Sequence, residues 1–520
     1  MDRALTVQHE FCITTSALPR DRFPEILAAV FLALAAFVMS HHEIWRDEVQ
    51  SWLLARDSHS PWDLMVRQKY EGHPALWQLL LMPLTRLSAS PVAMQVLHLL
   101  VATATVYVFA RWSPFSRLQQ ALFSFGYFPF YEYAIISRSY GLSVLFLVVF
   151  CCLYPHRHRP GGFLAIAGVL VLLCHTHALS LIVVLVVCAA LGLDWLRARK
   201  GGVRPRCPTA PFLAGGALVL AGIITAVIQI RPPADTGIAV EWRLDFRLYA
   251  VRSTVKALVG AYLPVPSVER GYWNNPLCFD PRLFPLSVAC YGAVAAYLLY
   301  ACWQLRRHLP SLIVFGAGTA GLLAFYYTKY PGAARHHGFL FICLVMAVWM
   351  QRRSAGGWPV SFAGPRRSGG FDASLTALFG VHVVAALLAA GLELRHPFSA
   401  SRAVTEYLHR HGHDDSLLVG HEDNCVSVLL GTSAQRQIYY PQSRRWGSYI
   451  IWNQARLAPI TDQGLVDAAR ALPRRPGQPV LLVLNRELEE DLVRANRLRL
   501  LGAFTGAVVR DENYHLYQVD

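Results

Sequence analysis

Charge is the first thing this sequence has little of. Asp, Glu, Lys and Arg supply 16% of its 520 residues, where a soluble globular chain carries about a quarter. That shortage excludes a protein whose whole surface faces water. Apolar residues take up the space: they are 54% of the chain, and the mean hydropathy is +0.34. Acidic residues are the scarcer sign, 33 against 48 basic, for a net charge of +15. The basic residues sit in short segments between apolar runs, as the positive-inside rule produces, and this excludes nucleic acid as a partner. Paired cysteine motifs are also lacking. The 11 cysteines include no CxxC or other metal-ligand spacing. Cys151, Cys152, Cys188, Cys290 and Cys343 fall inside apolar runs, as buried reduced thiols do. Cys278 and Cys425 could both face an oxidising compartment and pair there. No small-residue cleavage site follows the first apolar run, so that run reads as a retained anchor.

Apolar runs of bilayer length recur to about residue 394. They predict about eleven spans, near 23–40, 91–110, 117–133, 139–154, 162–176, 178–196, 211–230, 283–302, 310–328, 333–350 and 373–394. The turns between them carry Arg111 and Arg117, then Arg157 and Arg159, then Arg197, Arg199, Lys200, Arg204 and Arg206. Arg306 and Arg307 follow, and then Arg352, Arg353, Arg366 and Arg367. These basic turns alternate, as a single topology requires. Residues 1–22, with Arg3, Arg20 and Arg22, belong with them on the cytoplasmic side. The long loops 41–90 and 231–282 and the tail 396–520 then share the opposite face. The expected fold is an α-helical polytopic membrane protein of the plasma (inner) membrane, with a transmembrane region over 1–395 and a C-terminal α/β extracytoplasmic domain.

The first loop reads as amphipathic helices lying on the membrane. Val49, Trp52 and Leu53 recur at helical spacing, with Arg46, Gln50 and Arg56 elsewhere on the wheel. Ser60-Pro61 supplies an N-cap and a first-turn proline, with Asp63 behind them, and another helix starts after His73-Pro74. Trp242, Phe246 and Tyr249 form an interfacial stripe in the second loop. In the tail, helices are expected over 404–411, 465–472 and 486–496, and strands over 417–420, 437–440, 480–485 and 503–510. No phosphate-loop glycine pattern occurs there, and a lid or acceptor-docking module is the plain reading.

The candidate chemistry begins with Asp47 and Glu48, directly after the first span. Exposed carboxylates titrate near pH 4 and are ionised at neutral pH. Such a group can accept the proton of an attacking hydroxyl. Adjacent helical residues point about 100° apart, so one of the two reaches a given substrate atom. The plainer reading is a charged helix face balanced by Arg46 and Arg56. Three further turns on the same face carry Tyr131-Glu132-Tyr133 with Ser137-Arg138-Ser139-Tyr140, then His175 and His177, then Lys329-Tyr330 with Arg335-His336-His337. Taken singly, the arginines could snorkel and the histidines could be a bonded turn pair. Together they suit an anionic lipid phosphate held at the membrane face. Phosphate is a good leaving group, so one base plus several cations suffices for displacing a sugar from it, where a glycosidase needs two opposed carboxylates. No metal is required by this reading, although His175, His177 and Glu48 could bind a divalent ion.

The stretches "IWRDEVQSWLLARD", "YEGHPALW" and "ISRSYGLSVLF", with the looser "CHTHALS" and "ARHHGFLF", occur in an order that resembles the GT-C membrane glycosyltransferases, particularly the protein O-mannosyltransferase and aminoarabinose-transferase branch. The resemblance covers about three-quarters of the chain and leaves the tail unmatched. It implies a polyprenyl-phosphate sugar as donor, inversion at the anomeric carbon, and Asp47 as catalytic base with Glu48 in the acidic position after it. It also implies that His73 lines the cavity, that Arg138 and Tyr140 sit near the donor, and that Arg335 meets the lipid phosphate with His336 and Lys329 beside it. The acceptor is a glycan, a lipid or a protein. Two rivals remain: a transporter or flippase of a lipid-linked glycan, against which no inverted repeat or pair of broken helices is found, and a non-catalytic scaffold, which leaves the gathered polar turns without a purpose.

Overall fold

A computed structural model describes residues 21–200, 208–238, 241–354 and 369–519. The expectations for residues 1–20, with Arg3 and Arg20, and for Arg204, Arg206, Arg366 and Arg367 lie outside the described residues. The helices in chain order are α1 (Phe23–His41), α2 (Arg46–Asp57), α3 (Pro61–Arg67), α4 (Leu76–Leu87), α5 (Val92–Trp112), α6 (Arg117–Ser124), α7 (Ser139–Leu153) and α8 (Pro160–Cys174). Then come α9 (Ala178–Lys200), α10 (Thr209–Ile230), α11 (Leu248–Tyr262), α12 (Phe284–Leu305), α13 (Leu309–Thr328), α14 (Ala334–Ser354) and α15 (Gly369–Glu393).

Among the described residues, eight helices are long and apolar enough to cross a membrane: α1, α5, α7 with the turn after it, α9, α10, α12, α13 and α15. The other three expected spans show why a count from apolar runs is coarse. Helix α8 is apolar but only 15 residues long. Helix α14 has the length, yet carries Arg335, His336 and His337 at one end and Arg352 and Arg353 at the other. The segment expected at 117–133 is broken. Helix α6 stops at Ser124, and residues Tyr127–Ile135 form a wider turn with bonds from residue i to i+5. Pro129 cannot donate to an ordinary helical ladder, and such wide turns recur where side chains must be aimed at a site.

The tail adds α16 (Ser401–Arg410), α17 (Asp423–Val426), α18 (Asp462–Arg470) and α19 (Glu490–Ala495) around six strands: β1 (Leu417–Gly420), β2 (Ile438–Tyr440), β3 (Arg445–Gly447), β4 (Val480–Leu484), β5 (Arg499–Phe504) and β6 (Tyr514–Val519). Their spatial order is β3-β2-β1-β4-β6-β5. Strand β1 runs parallel to β2 and β4, with Val419 opposite both Tyr439 and Leu482, and the edges are antiparallel. Alternation along the strands divides the core. Leu418, Leu481, Val483 and Leu516 share one buried cluster with Val49, Trp52 and Leu53 of α2. Val419, Val480, Leu482 and Val519 pack with Leu465 and Val466 of α18 on the other face.

Three expectations are overturned by the packing. Helix α2 does not lie on the membrane with its apolar stripe in lipid. Val49, Trp52 and Leu53 are buried, and the tail covers them so closely that a Cβ at Gly431 would come within 2.9 Å of Val49 Cγ2. The strand expected over 503–510 is mostly loop. Its apolar pair, Val508 and Val509, is buried by donating backbone bonds to Pro397 and Phe398 at 2.9 and 3.1 Å. The second-loop stripe does stand exposed, at Trp242, Phe246 and Tyr249. Cys278 and Cys425 are both buried free thiols, not a disulfide.

Candidate active site

Helix α2 begins beneath the tail. Trp45 donates its backbone N–H to the Glu48 carboxylate at 3.2 Å, and that cap places Asp47 one residue away on another face. The Asp47 carboxylate meets two guanidinium groups, Arg335 at 3.1 Å and Arg138 at 3.9 Å. Arg138 also donates to the Asp47 backbone carbonyl. The side chains of Arg138 and Arg335 are 8% and 11% exposed, and that of Asp47 is 24% exposed. Burial works against the charge on Asp47, but Arg138 and Arg335 hold its carboxyl below the usual carboxylate range. The Nε atoms of Arg138 and Arg335 are buried without a hydrogen-bond partner.

Arg335 is clamped. Its guanidinium lies 5.2 Å from the ring of Trp45 and 5.5 Å from that of Trp273 in the second loop. Gly338, a turn further along α14, lets Tyr133 donate its hydroxyl to the Arg335 carbonyl at 2.8 Å, where a Cβ would stand 2.3 Å from that hydroxyl. Beside the ion cluster lies a group of rings. Tyr140 sits 4.5 Å from His177 and 5.4 Å from His336, and His177 is 5.8 Å from both His73 and His336. The Ala333 N–H donates to His336 Nδ1 at 2.8 Å. The ring proton is therefore on Nε2, which faces the Tyr140 oxygen at 2.9 Å and leaves the Tyr140 hydrogen free to point elsewhere. Gln68 donates to His73 Nδ1 at 3.1 Å, and burial with Arg138 nearby pushes the His73 pKa down to about 4, so this ring is neutral.

Asp47, His73, Arg138, Tyr140, His177, Arg335 and His336 thus come together from the first loop and three turns. Three other expected residues do not. Glu48 is fully buried and turned away, accepting from His42 Nε2 at 2.9 Å and from the Ser137 N–H at 2.6 Å. His175 faces helix α10, pairing with Thr225 at 3.1 Å and with the Val171 carbonyl at 2.9 Å. Lys329 lies 5.6 Å from the Trp242 ring. His175, His177 and Glu48 therefore do not converge on one ion, and no three His, Cys, Asp or Glu side chains group as a metal set among the described residues.

Sequence reasoning missed what supports the site. His42, one residue past α1, lies between Glu48 and Glu393, 2.9 Å from each, with both carboxylates buried. Glu393 also accepts from Tyr131 at 2.5 Å and Tyr272 at 2.9 Å. This network ties α1, α2, the wide turn, the second loop and α15 together. Trp45 and Trp273 were missed as well. Glu393 did carry a signal, an acid at the end of an apolar span.

The tail closes the site from above. Arg46 pairs with Asp511 and donates its backbone N–H to Glu512 at 3.1 Å. Gln50 exchanges bonds with the Ile450 backbone at 2.8 and 3.0 Å, and donates to Glu71 at 2.6 Å. The second loop joins them: the Gly237 N–H donates to the Trp452 carbonyl at 2.8 Å, and Tyr70 donates to Asp235 at 2.9 Å. The class of protein so defined is a polytopic helical protein with a largely buried ion cluster where its membrane bundle meets an α/β domain. Among solved structures, the chain is similar to ArnT from Cupriavidus metallidurans bound to undecaprenyl phosphate, with 12% identity, a TM-score of 0.46, and coverage of 94% of this chain and 97% of that one. No protein-family profile and no curated protein matches the chain.

Proposed function

We propose that this protein is an integral membrane glycosyltransferase that moves a monosaccharide from a polyprenyl-phosphate donor to an extracytoplasmic glycan, lipid or protein, inverting the anomeric carbon. The observation that carries this reading is the Asp47 carboxylate between the guanidiniums of Arg138 and Arg335, beside the rings of His73, Tyr140, His177 and His336. Two guanidiniums and one carboxylate, with the buried Glu71 nearby pushed up to about 7, leave the cluster net positive, which suits the single negative charge of a sugar phosphodiester. The leaving polyprenyl phosphate develops a second negative charge, and preorganised cations stabilise charge where it develops.

In this mechanism the donor phosphate engages Arg138 and Arg335. That withdraws positive charge from Asp47 and raises its affinity for a proton at the moment one must be taken. The acceptor hydroxyl attacks the anomeric carbon from the Asp47 side and its proton passes to the carboxylate. The bond from that carbon to the phosphate oxygen breaks with its electron pair on the phosphate. Tyr140, His73 and His177 supply donors for sugar hydroxyls, and His336 turns the Tyr140 hydroxyl toward the sugar by donating Nε2–H to its oxygen, with Glu48, His175 and Lys329 outside this set. No step calls for a divalent ion.

Sidedness supports an extracytoplasmic site in the inner membrane. The first loop, second loop and tail pack together at one end. Basic residues collect at the other, where Arg352 reaches Gln119 at 3.3 Å and Arg157 reaches Asp194 at 2.7 Å. The test is transfer from a panel of radiolabelled polyprenyl-phosphate sugars in membranes containing the protein. The proposal expects label in a new product together with released polyprenyl phosphate. Intact labelled donor crossing the bilayer, with no product, would move the assignment to a transporter.

A further inference from the structure

A second cationic site lies at the far end of α2. Two adjoining cavities, of about 660 and 530 Å³, open between the first loop, the α4–α5 turn and the tail. Six arginines line them: Arg56, Arg67, Arg86, Arg402, Arg436 and Arg445. The acids lining them are Glu43 and Asp57; Asp57 is engaged by Arg56 at 2.7 Å, and Arg67 is paired with Asp63 at 2.8 Å. Arg56, Arg86 and Arg436 line both cavities, so the two form one groove. Half of the arginines come from the first loop and α4 and half from the tail.

Like charges do not collect in a groove without cost, and guanidinium groups match phosphate oxygens in a two-point geometry. The side of the membrane sharpens the point. The positive-inside rule gathers basic residues on the cytoplasmic face, so it does not account for six arginines on the opposite one. The exposed apolar neighbours of the groove point to the source of the phosphate. Its rim carries Leu87, 84% exposed, and Val92, 53% exposed, at the entry to the span α5, and Trp62 of α3 is 73% exposed. Guanidinium groups beside exposed apolar side chains at the start of a span suit a phosphate whose lipid tails lie in the bilayer.

The geometry points to a binding site for the phosphate-bearing head group of an anionic membrane lipid, seated between the first loop and the tail. It is separate from the Asp47 cluster: Arg56 lies nine positions after Asp47 on α2, about 14 Å at helical rise. Bound there, the lipid neutralises facing arginines and clamps the tail to the loop that carries Asp47. The inference rests on the proposed function only for the side of the membrane.

The test uses the full chain in phosphatidylcholine nanodiscs doped with phosphatidylglycerol, with bound lipid counted by native mass spectrometry. Wild type retains phosphatidylglycerol over phosphatidylcholine, and Arg402→Gln/Arg436→Gln/Arg445→Gln lowers that preference at least tenfold. Arg436→Gln alone, at an exposed position, lowers it in the same direction and serves if the triple variant does not fold. Equal retention by wild type and variants overturns the proposal. Displacement of the lipid by soluble glycerol phosphate at equal concentration overturns it too, in favour of a free-phosphate site. The transferase reading fails separately, on donor turnover by the wild type.

Discussion

Replacing His42 by Gln removes the cation from between two buried carboxylates. Burial opposes the charge on His42, but Glu48 and Glu393 raise its pKa from 6.5 to about 10. A shift of that size corresponds to at most about 5 kcal/mol, at 1.36 kcal/mol per unit. Breaking a buried pair by deleting one partner costs about 3–5 kcal/mol, so the expected loss lies in that range. Its pH dependence has a definite sign. The folded ring holds its proton up to about pH 10 and the unfolded ring only below 6.5. The contribution is therefore complete below pH 6.5 and is lost as pH rises through 10. The assay is unfolding of detergent-solubilised protein by increasing SDS, followed by tryptophan fluorescence at a series of pH values. His42→Gln should lose most stability near neutral pH, and its difference from wild type should shrink towards pH 10. Adding Glu393→Gln, which removes one of the stranded carboxylates, should restore part of the loss. A cost below about 1 kcal/mol, or a difference flat across that pH window, would refute the reasoning.

Arg335→Gln should raise the donor KM at least tenfold and move the acid limb of kcat/KM upward, because Asp47 loses a guanidinium at 3.1 Å; pH–rate profiles check both. Gly431→Leu forces a side chain into Val49, where even a Cβ falls at 2.9 Å. It should cost about 1–3 kcal/mol of tail docking, seen as faster proteolysis between the bundle and the tail. Burial pushes the Glu512 carboxyl up to about 8 from 4.5. Its contribution to docking is complete below pH 4.5 and is lost as pH rises through 8. Glu512→Gln should therefore make hydrogen exchange at the α2–tail contact less dependent on pH between 4.5 and 8.

The readable parts were those set by local pattern. Apolar length marked the spans, and the cap at Ser60 is in place, with the Asp63 N–H bonded to it at 3.1 Å. Alternation of basic turns put Asp47, Arg138, His177 and Arg335 on one face before any contact was known. What could not be read depends on tertiary partners. Helical geometry says that Asp47 and Glu48 diverge, but not which one faces the cavity; His42 and the Ser137 N–H decide that by claiming Glu48. His175 and His177 straddle a turn, and only the position of Thr225 on α10 separates them. The stripe on α2 has the pattern of an interfacial helix, and a tail more than 370 residues later covers it instead. Glu393 and Trp273 lie far from Asp47 in sequence and meet its surroundings only through folding.

The most direct test of the central claim is single-turnover transfer by Asp47→Asn with a polyprenyl-phosphate sugar that the wild type uses, with donor binding measured on the same preparation. Asparagine keeps the size of the side chain but cannot take the proton. The account predicts donor affinity within a few-fold of wild type and a transfer rate about a hundred- to ten-thousand-fold lower, the usual contribution of a positioned base. Transfer at the wild-type rate would show that Asp47 is not the base, and its place between Arg138 and Arg335 would then be structural.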